Sequence, residues 1–222
     1  MFELLADRLP LEVCILAEPF LARLDCFAPL SGLEEIRWLE KYRPTVLRQK
    51  ARRDGEADDA ARRGRLEVLK WLHALDCTQF TANTMDQAAK GGHLEVVKWL
   101  HAHSTEGCTT HAMDAAAEYG HLEVVKFLHA QRQEGCTTSA MNWAAWHGRL
   151  VVVKWLHANR SEGCTAEAKD LAAEYGHLEG VKFQHAHRQD GSTRYAIKRA
   201  ARTVNHEVVK IIHAQRPDGS TT

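Results

Sequence analysis

Along most of this chain the apolar and polar positions follow a pattern that restarts every 28 residues. Its clearest copy, Gly92 to Tyr119, reads GHLEVVKWLHAHSTEGCTTHAMDAAAEY and returns almost intact as Gly120 to His147 and Gly148 to Tyr175. Units start at positions 64, 92, 120, 148, 176 and 204, with only half a unit after the last start. A degenerate earlier unit begins near Ser31, where LEEIRWLE (Leu33 to Glu40) matches LEVVKWLH and Ala60-Ala61 matches Ala116-Ala117. A constant period of this size predicts a solenoid, in which each unit buries its apolar face against its neighbours.

Two helices are predicted in each unit. The outer one runs from about His93 to Ala102, and Leu94, Val96, Val97, Trp99 and Leu100 give it a broad apolar arc. Glu95 sits in its first turn, favourable for the helix dipole, and pairs with Lys98 three residues on. The inner helix starts after Thr109-Thr110, which are good N-caps, and ends at Gly120 as a left-handed C-cap. Its alanines make it thin, whereas the outer helices carry Trp or Phe at 71, 99, 127, 155 and 183. The expected stack is therefore all-α and bent, with inner helices on the concave side.

Helical geometry also predicts which inner residues face outward. If Ala112, Met113, Ala116 and Ala117 define the buried side, positions 111, 114, 115 and 118 lie opposite. Those positions vary between units while the core repeats, and one unit places Trp143 and Trp146 there.

The units resemble ankyrin repeats, whose xxAAxxGHxxVVxxLL core matches AAAEYGHLEVVKFLH at Ala115 to His129. The usual TPLH start is replaced by AMD or AMN, as at Ala112-Met113-Asp114 and Ala140-Met141-Asn142. The GADVN finger is replaced by short EGCTT-type loops. The resemblance implies an ankyrin-like α-solenoid of stacked helix pairs, with β-hairpin fingers reduced or absent. It also implies protein binding rather than catalysis.

Residues 1–30 read as two short helical segments divided at Leu9-Pro10, an N-terminal cap for the first unit of the 31–222 solenoid. Leu9, Pro10, Glu12 and Val13 also resemble the start of an F-box. That likeness implies an alternative function, substrate receptor of a ubiquitin ligase docking a Skp1-like adaptor. From Arg43 to Arg53 the first unit carries a basic connector, RPTVLRQKARR, which Asp54, Glu56, Asp58 and Asp59 largely neutralise.

Charge narrows the range of functions. With 29 basic and 29 acidic residues, no general attraction to nucleic acid or an anionic membrane is expected. No cationic leader and no uninterrupted apolar span is evident, which fits the cytoplasm or the nucleus. Cys108, Cys136 and Cys164 recur at one unit position and read as semi-buried loop residues, too far apart for disulfides.

The column His73, His101, His129, His157, His185 and His213 cannot converge on one metal ion, so no metal or cofactor is expected. It reads instead as a ladder of imidazoles meeting free carbonyls at the ends of the outer helices. Glu106, Glu134 and Glu162 are expected to form exposed pairs with loop arginines such as Arg132 and Arg160. Hydrolase, phosphate-loop and zinc-protease motifs are absent, and no enzyme is expected.

The expected function is a non-enzymatic scaffold that holds another protein on its concave inner-helix face. The expected site comprises Asp114, Glu118, Tyr119, Asn142, Trp143, Trp146, His147, Glu167, Asp170, Leu171, Glu174 and Tyr175. Aromatic at its centre and acidic around it, such a groove suits a basic or amphipathic segment.

Overall fold

A computed structural model describes residues 55–75 and 80–187, with 36, 37, 41 and 200 besides. The expected N-terminal cap with its F-box-like stretch, the basic connector 43–53 and the expected half unit from 204 lie outside the described residues. The chain divides into two compact units, one comprising 1–60 and 65–79, the other 61–64 and 80–222.

In the first unit, α1 (Glu56–Arg62, through Ala60) and α2 (Leu66–Ala74) form a helix pair. The turn between them is closed by the Arg65 amide, which donates to the Ala60 carbonyl at 2.8 Å. Helix α2 buries Val68, Leu69 and Leu72, and its wet side carries a Glu67–Lys70 ion pair at 2.7 Å.

The second unit holds four further helix pairs. Inner helices α3 (Ala82–Lys90), α5 (Thr110–Tyr119), α7 (Thr138–Trp146) and α9 (Ala166–Glu174) alternate with outer helices α4 (Leu94–His103), α6 (Leu122–Gln131), α8 (Leu150–Asn159) and α10 (Leu178–His187). Successive inner helices pack side by side, and each inner helix packs on the outer helix that follows it. The fold is an all-α solenoid of helix pairs, and among the described residues there is no strand and no hairpin finger.

Sequence period and core agree closely. Val96, Val97 and Leu100 are buried, as are Val124, Val125 and Leu128 and then Val152, Val153 and Leu156. Each such aliphatic side chain contributes about 1.5–3 kcal/mol on burial. Small buried alanines, including Ala112, Ala116 and Ala117 in α5, let neighbouring inner helices approach.

Helix α5 stops at Gly120 in the left-handed region (φ 86°), where the His121 amide donates to the Ala116 carbonyl at 2.8 Å. Gly92 has a second reason to lack a side chain. A Cβ there would lie 2.4 Å from the His121 ring of the next repeat.

The histidine column behaves differently from the expectation. His101, His129 and His157 present their rings at right angles to Phe127, Trp155 and Phe183 of the following repeat, with centroids 5.7, 5.2 and 5.4 Å apart. Carbonyls near the ends of the outer helices are met instead by the residue two places after the column, His103 Nδ1 donating to Trp99, Asn159 Nδ2 to Trp155 and His187 Nδ1 to Phe183, each at 2.8 Å. The residue after each unit's first glycine meets a carbonyl at the end of an inner helix. His121 bonds the carbonyl of Lys90, Arg149 Nε reaches that of Glu118 at 3.5 Å, and His177 Nε2 that of Trp146 at 2.8 Å. The column lies on the side of the outer helix that faces the next repeat, so ring packing takes precedence.

The loop ion pairs are half-buried rather than exposed. Arg132 Nε donates to Glu134 Oε2 at 3.2 Å and Arg160 Nε to Glu162 Oε2 at 3.1 Å, each with a second guanidinium bond to the other oxygen. These forks hold Glu134 and Glu162 below the usual carboxylate range. They lie against Gly107 and Gly135 of the preceding loop, where a Cβ would strike the guanidinium. Burial pushes the neighbouring Cys108 and Cys136 thiols up to about 11, leaving them protonated and inert at neutral pH.

Order thins in α10. Gly180 stands where the other outer helices bury a valine, beside a partly open cavity of about 290 Å³ lined in part by Leu150, Val153 and Leu178. Gln184 occupies the position of Leu156, 2% exposed, and neither atom of its amide finds a hydrogen-bond partner.

Candidate partner-binding face

Two cross-repeat ladders decide which inner-helix residues are open. The first runs inside the stack. Asp86 accepts from the Thr109 amide (2.9 Å) and hydroxyl (2.6 Å), and Asp114 accepts likewise from Thr137 (2.8 and 2.7 Å). Thr109 and Thr137 in turn cap their helices by accepting from the amides of His111 and Ser139, both at 3.1 Å. Asn142 continues the ladder in altered form. Its Oδ1 accepts from the Thr165 amide and its Nδ2 donates to the Thr165 hydroxyl, both at 2.9 Å.

The expected outward face is corrected accordingly. Asp114, Asn142 and Asp170 are 4, 7 and 8% exposed, and Ala115 is buried too. They do not belong to an open surface. Helices α5 and α7 each have inner neighbours on both sides and their own outer helix behind them, so their buried arc is wider than a single stripe. Position 111 stays exposed and 118 half-buried.

The second ladder runs along the C-terminal ends of the inner helices, between residues 29 apart. Lys90 Nζ sits 5.7 Å from the centroid of the Tyr119 ring. Glu118 Oε1 lies 4.0 Å from His147 Nε2. Trp146 and Tyr175 meet with ring centroids 5.8 Å apart at 57°. The steps join sideways through His147, whose ring lies 6.3 Å from Tyr119 and 4.8 Å from Trp146. His147 Nδ1 donates to the Trp143 carbonyl at 3.1 Å, so in the neutral ring Nε2 accepts and the Glu118 contact becomes an ion pair only on protonation.

Glu118, Tyr119, Trp143, Trp146, His147 and Tyr175 therefore come together on the inner-helix side. Tyr119 and Tyr175 are 40 and 54% exposed, among the most open large side chains of the described residues. Trp143 is half-buried, its ring at right angles to His111 of the preceding repeat with centroids 6.4 Å apart. Helix α7 carries no charged side chain, whereas α5 contributes Glu118 on one side of it and α9 contributes Glu167 and Glu174 on the other. Glu167 is exposed, and Leu171 and Glu174 are half-buried.

Lys90 and His111 are the participants that the sequence reading did not place in the site. The spacing of 29 that links Lys90 to Tyr119 was present in the sequence, but a single unit's helical wheel does not reveal it.

Among the described residues no group of three or more His, Cys, Asp or Glu is placed to hold a metal ion. None of the described helices is long and apolar enough to cross a membrane.

The family model of ankyrin repeats in three copies matches residues 58–136 and 85–170, together just over half of the chain. No curated protein matches the sequence. Among solved structures, the human ASB11 ankyrin repeat domain is similar with a TM-score of 0.60 and 19% identity, over 73% of this chain and 84% of that one. At that identity the likeness concerns the fold.

Proposed function

The chain belongs to the ankyrin-repeat family and carries a protein-interaction domain, and from that premise we propose that it is a non-enzymatic scaffold binding a partner protein on the inner-helix face of α5, α7 and α9. The observation that supports this reading most is the pair Trp143 and Trp146. They are half-buried on a helix without charge, at positions where the other units carry Asp, Gln, Ala, Leu or Arg and Arg, Lys or Glu. The fold tolerates those smaller or polar residues, so the tryptophans answer to something other than packing alone. Half-buried aromatic rings with a polar surround are what anchoring residues of protein interfaces look like, and truncating one typically costs about 2 kcal/mol or more of binding.

Glu118, Glu167 and Glu174 around the rings favour a basic or amphipathic segment over an acidic one. The alternative, substrate receptor of a ubiquitin ligase, uses the same face for its substrate and adds a Skp1-like adaptor on residues 1–30. Deleting 1–30 separates the two, since only the receptor then loses adaptor and cullin-like proteins.

The test of the face is Trp143→Ala with Trp146→Ala in the full chain. Partner capture lost with a melt lowered by no more than a few degrees supports the reading. A collapse of the melt places the rings in the core instead, and full capture by the double variant overturns the face.

A further inference from the structure

The ladder of residues 29 apart carries the reading of this face one step further, to the chemistry of what the partner inserts. All three of its steps sit at equivalent places and differ only in their occupants. At the first, the ring of Tyr119 already has a cation of the chain's own over it, Lys90 Nζ at 5.7 Å. At the second, the acid Glu118 faces His147. At the third the lysine's place is taken by Trp146, which meets Tyr175 at 57° with centroids 5.8 Å apart and leaves Tyr175 54% exposed. Two tilted rings form an open corner whose π faces are both electron-rich, and the indole is the strongest of the aromatic cation acceptors.

Charge complements this geometry. Trp146 ends a helix with no charged side chain, and Glu174 directly precedes Tyr175 at the end of α9. The first step shows how a lysine engages a ring at this register, and the third offers two rings without a lysine of its own at the equivalent position. An anionic group there would meet both the ring faces and the carboxylates unfavourably.

Resting on the proposed protein-binding role of this face, we propose that the Trp146–Tyr175 corner is a seat for one arginine or lysine side chain of the partner segment. The cation sits in the angle between the two rings, beside the indole that stands where Lys90 stands at the first step.

The experiment uses the full chain and a short peptide amide alternating arginine and glycine, read against the same peptide with citrulline, which keeps the shape and removes the charge. Binding is followed by heteronuclear NMR of the tryptophan indole N–H signals. The seat predicts that the arginine peptide shifts the Trp146 signal and binds about tenfold more tightly than the citrulline peptide. Tyr175→Leu should abolish that difference without lowering the melt, and Tyr175→Phe should retain it. Equal binding of both peptides, binding of neither, or an unchanged preference in Tyr175→Leu overturns the seat. The face itself is judged separately by partner capture. If the Trp143 and Trp146 double variant loses its partner while Tyr175→Leu keeps it, the seat falls and the face stands.

Discussion

Asp114 accepts two hydrogen bonds from Thr137, 23 residues on in the next unit, from the amide to Oδ1 at 2.8 Å and from the hydroxyl to Oδ2 at 2.7 Å. One buried carboxylate thereby satisfies the start of the next inner helix and orients the hydroxyl that caps it. Removing it in Asp114→Ala strands a partly buried amide and hydroxyl, at an expected cost of about 2–3 kcal/mol. Urea denaturation measures it, and a loss below about 0.5 kcal/mol would mean that the ladder contributes little.

Asn142 offers the converse. Its amide donates to the Thr165 hydroxyl, and Thr165 then caps no amide of α9 with its side chain. Asn142→Asp lets that hydroxyl donate to the carboxylate and turn a lone pair to the helix, and it brings a negative charge to the helix N-terminus. The expected gain is about 0.5–1 kcal/mol. An unchanged or lower urea midpoint contradicts it.

Helix α10 should be the weakest outer helix of the second unit. Gly180→Ala removes a helical glycine where a Cβ would meet its nearest neighbours at 3.8 and 3.9 Å, ordinary contact distances, and should stabilise by about 1 kcal/mol. Gln184→Leu exchanges a buried amide without partners for the aliphatic residue of the other units, for about 1–3 kcal/mol. In the wild type, amides of α10 should exchange with solvent faster than those of α4, α6 and α8. Equal protection across all four would refute the assignment.

Acid sensitivity follows from His121. Burial foremost, then the nearby His93 and Arg149, lower its pKa from 6.5 despite its bond to the Lys90 carbonyl. The unfolded chain therefore takes up the proton first as pH falls. The neutral ring's contribution is complete above about pH 6.5 and declines below it, through the lowered folded value. His185, lowered by burial and then by Lys169, acts in the same direction. Melting temperature should fall between pH 6.5 and 5, and less steeply in His121→Gln, which can still bond the carbonyl but does not titrate. Parallel profiles would exclude His121 as a source.

Much of the fold could be read from the sequence because identical units reveal what packing demands. The Val96, Val97 and Leu100 triad, the Thr109 cap and the left-handed Gly120 all occupy the places their residue types imply. Cross-repeat relations were harder to read. Asp114 looked like surface residue from its own helix, yet its partner lies in the next unit. His101 meets an aromatic ring of the following repeat where a carbonyl was expected. Regular distances between Asp or Asn and Thr carried the first of these signals, but chemistry within one helical wheel cannot express it. At the site, Trp143, Trp146 and Tyr175 share the inner side, whereas the acids of the middle turn turned inward.

The most direct measurement is an oxidative footprint of the chain free and bound to its captured partner, read at individual tryptophans. Trp143 and Trp146 lie on the inner helix α7, while Trp99 and Trp155 belong to the outer helices α4 and α8. Binding on the inner face should protect Trp143 and Trp146 and leave the oxidation of Trp99 and Trp155 unchanged. Protection of Trp99 or Trp155 with Trp143 and Trp146 unaltered would contradict it.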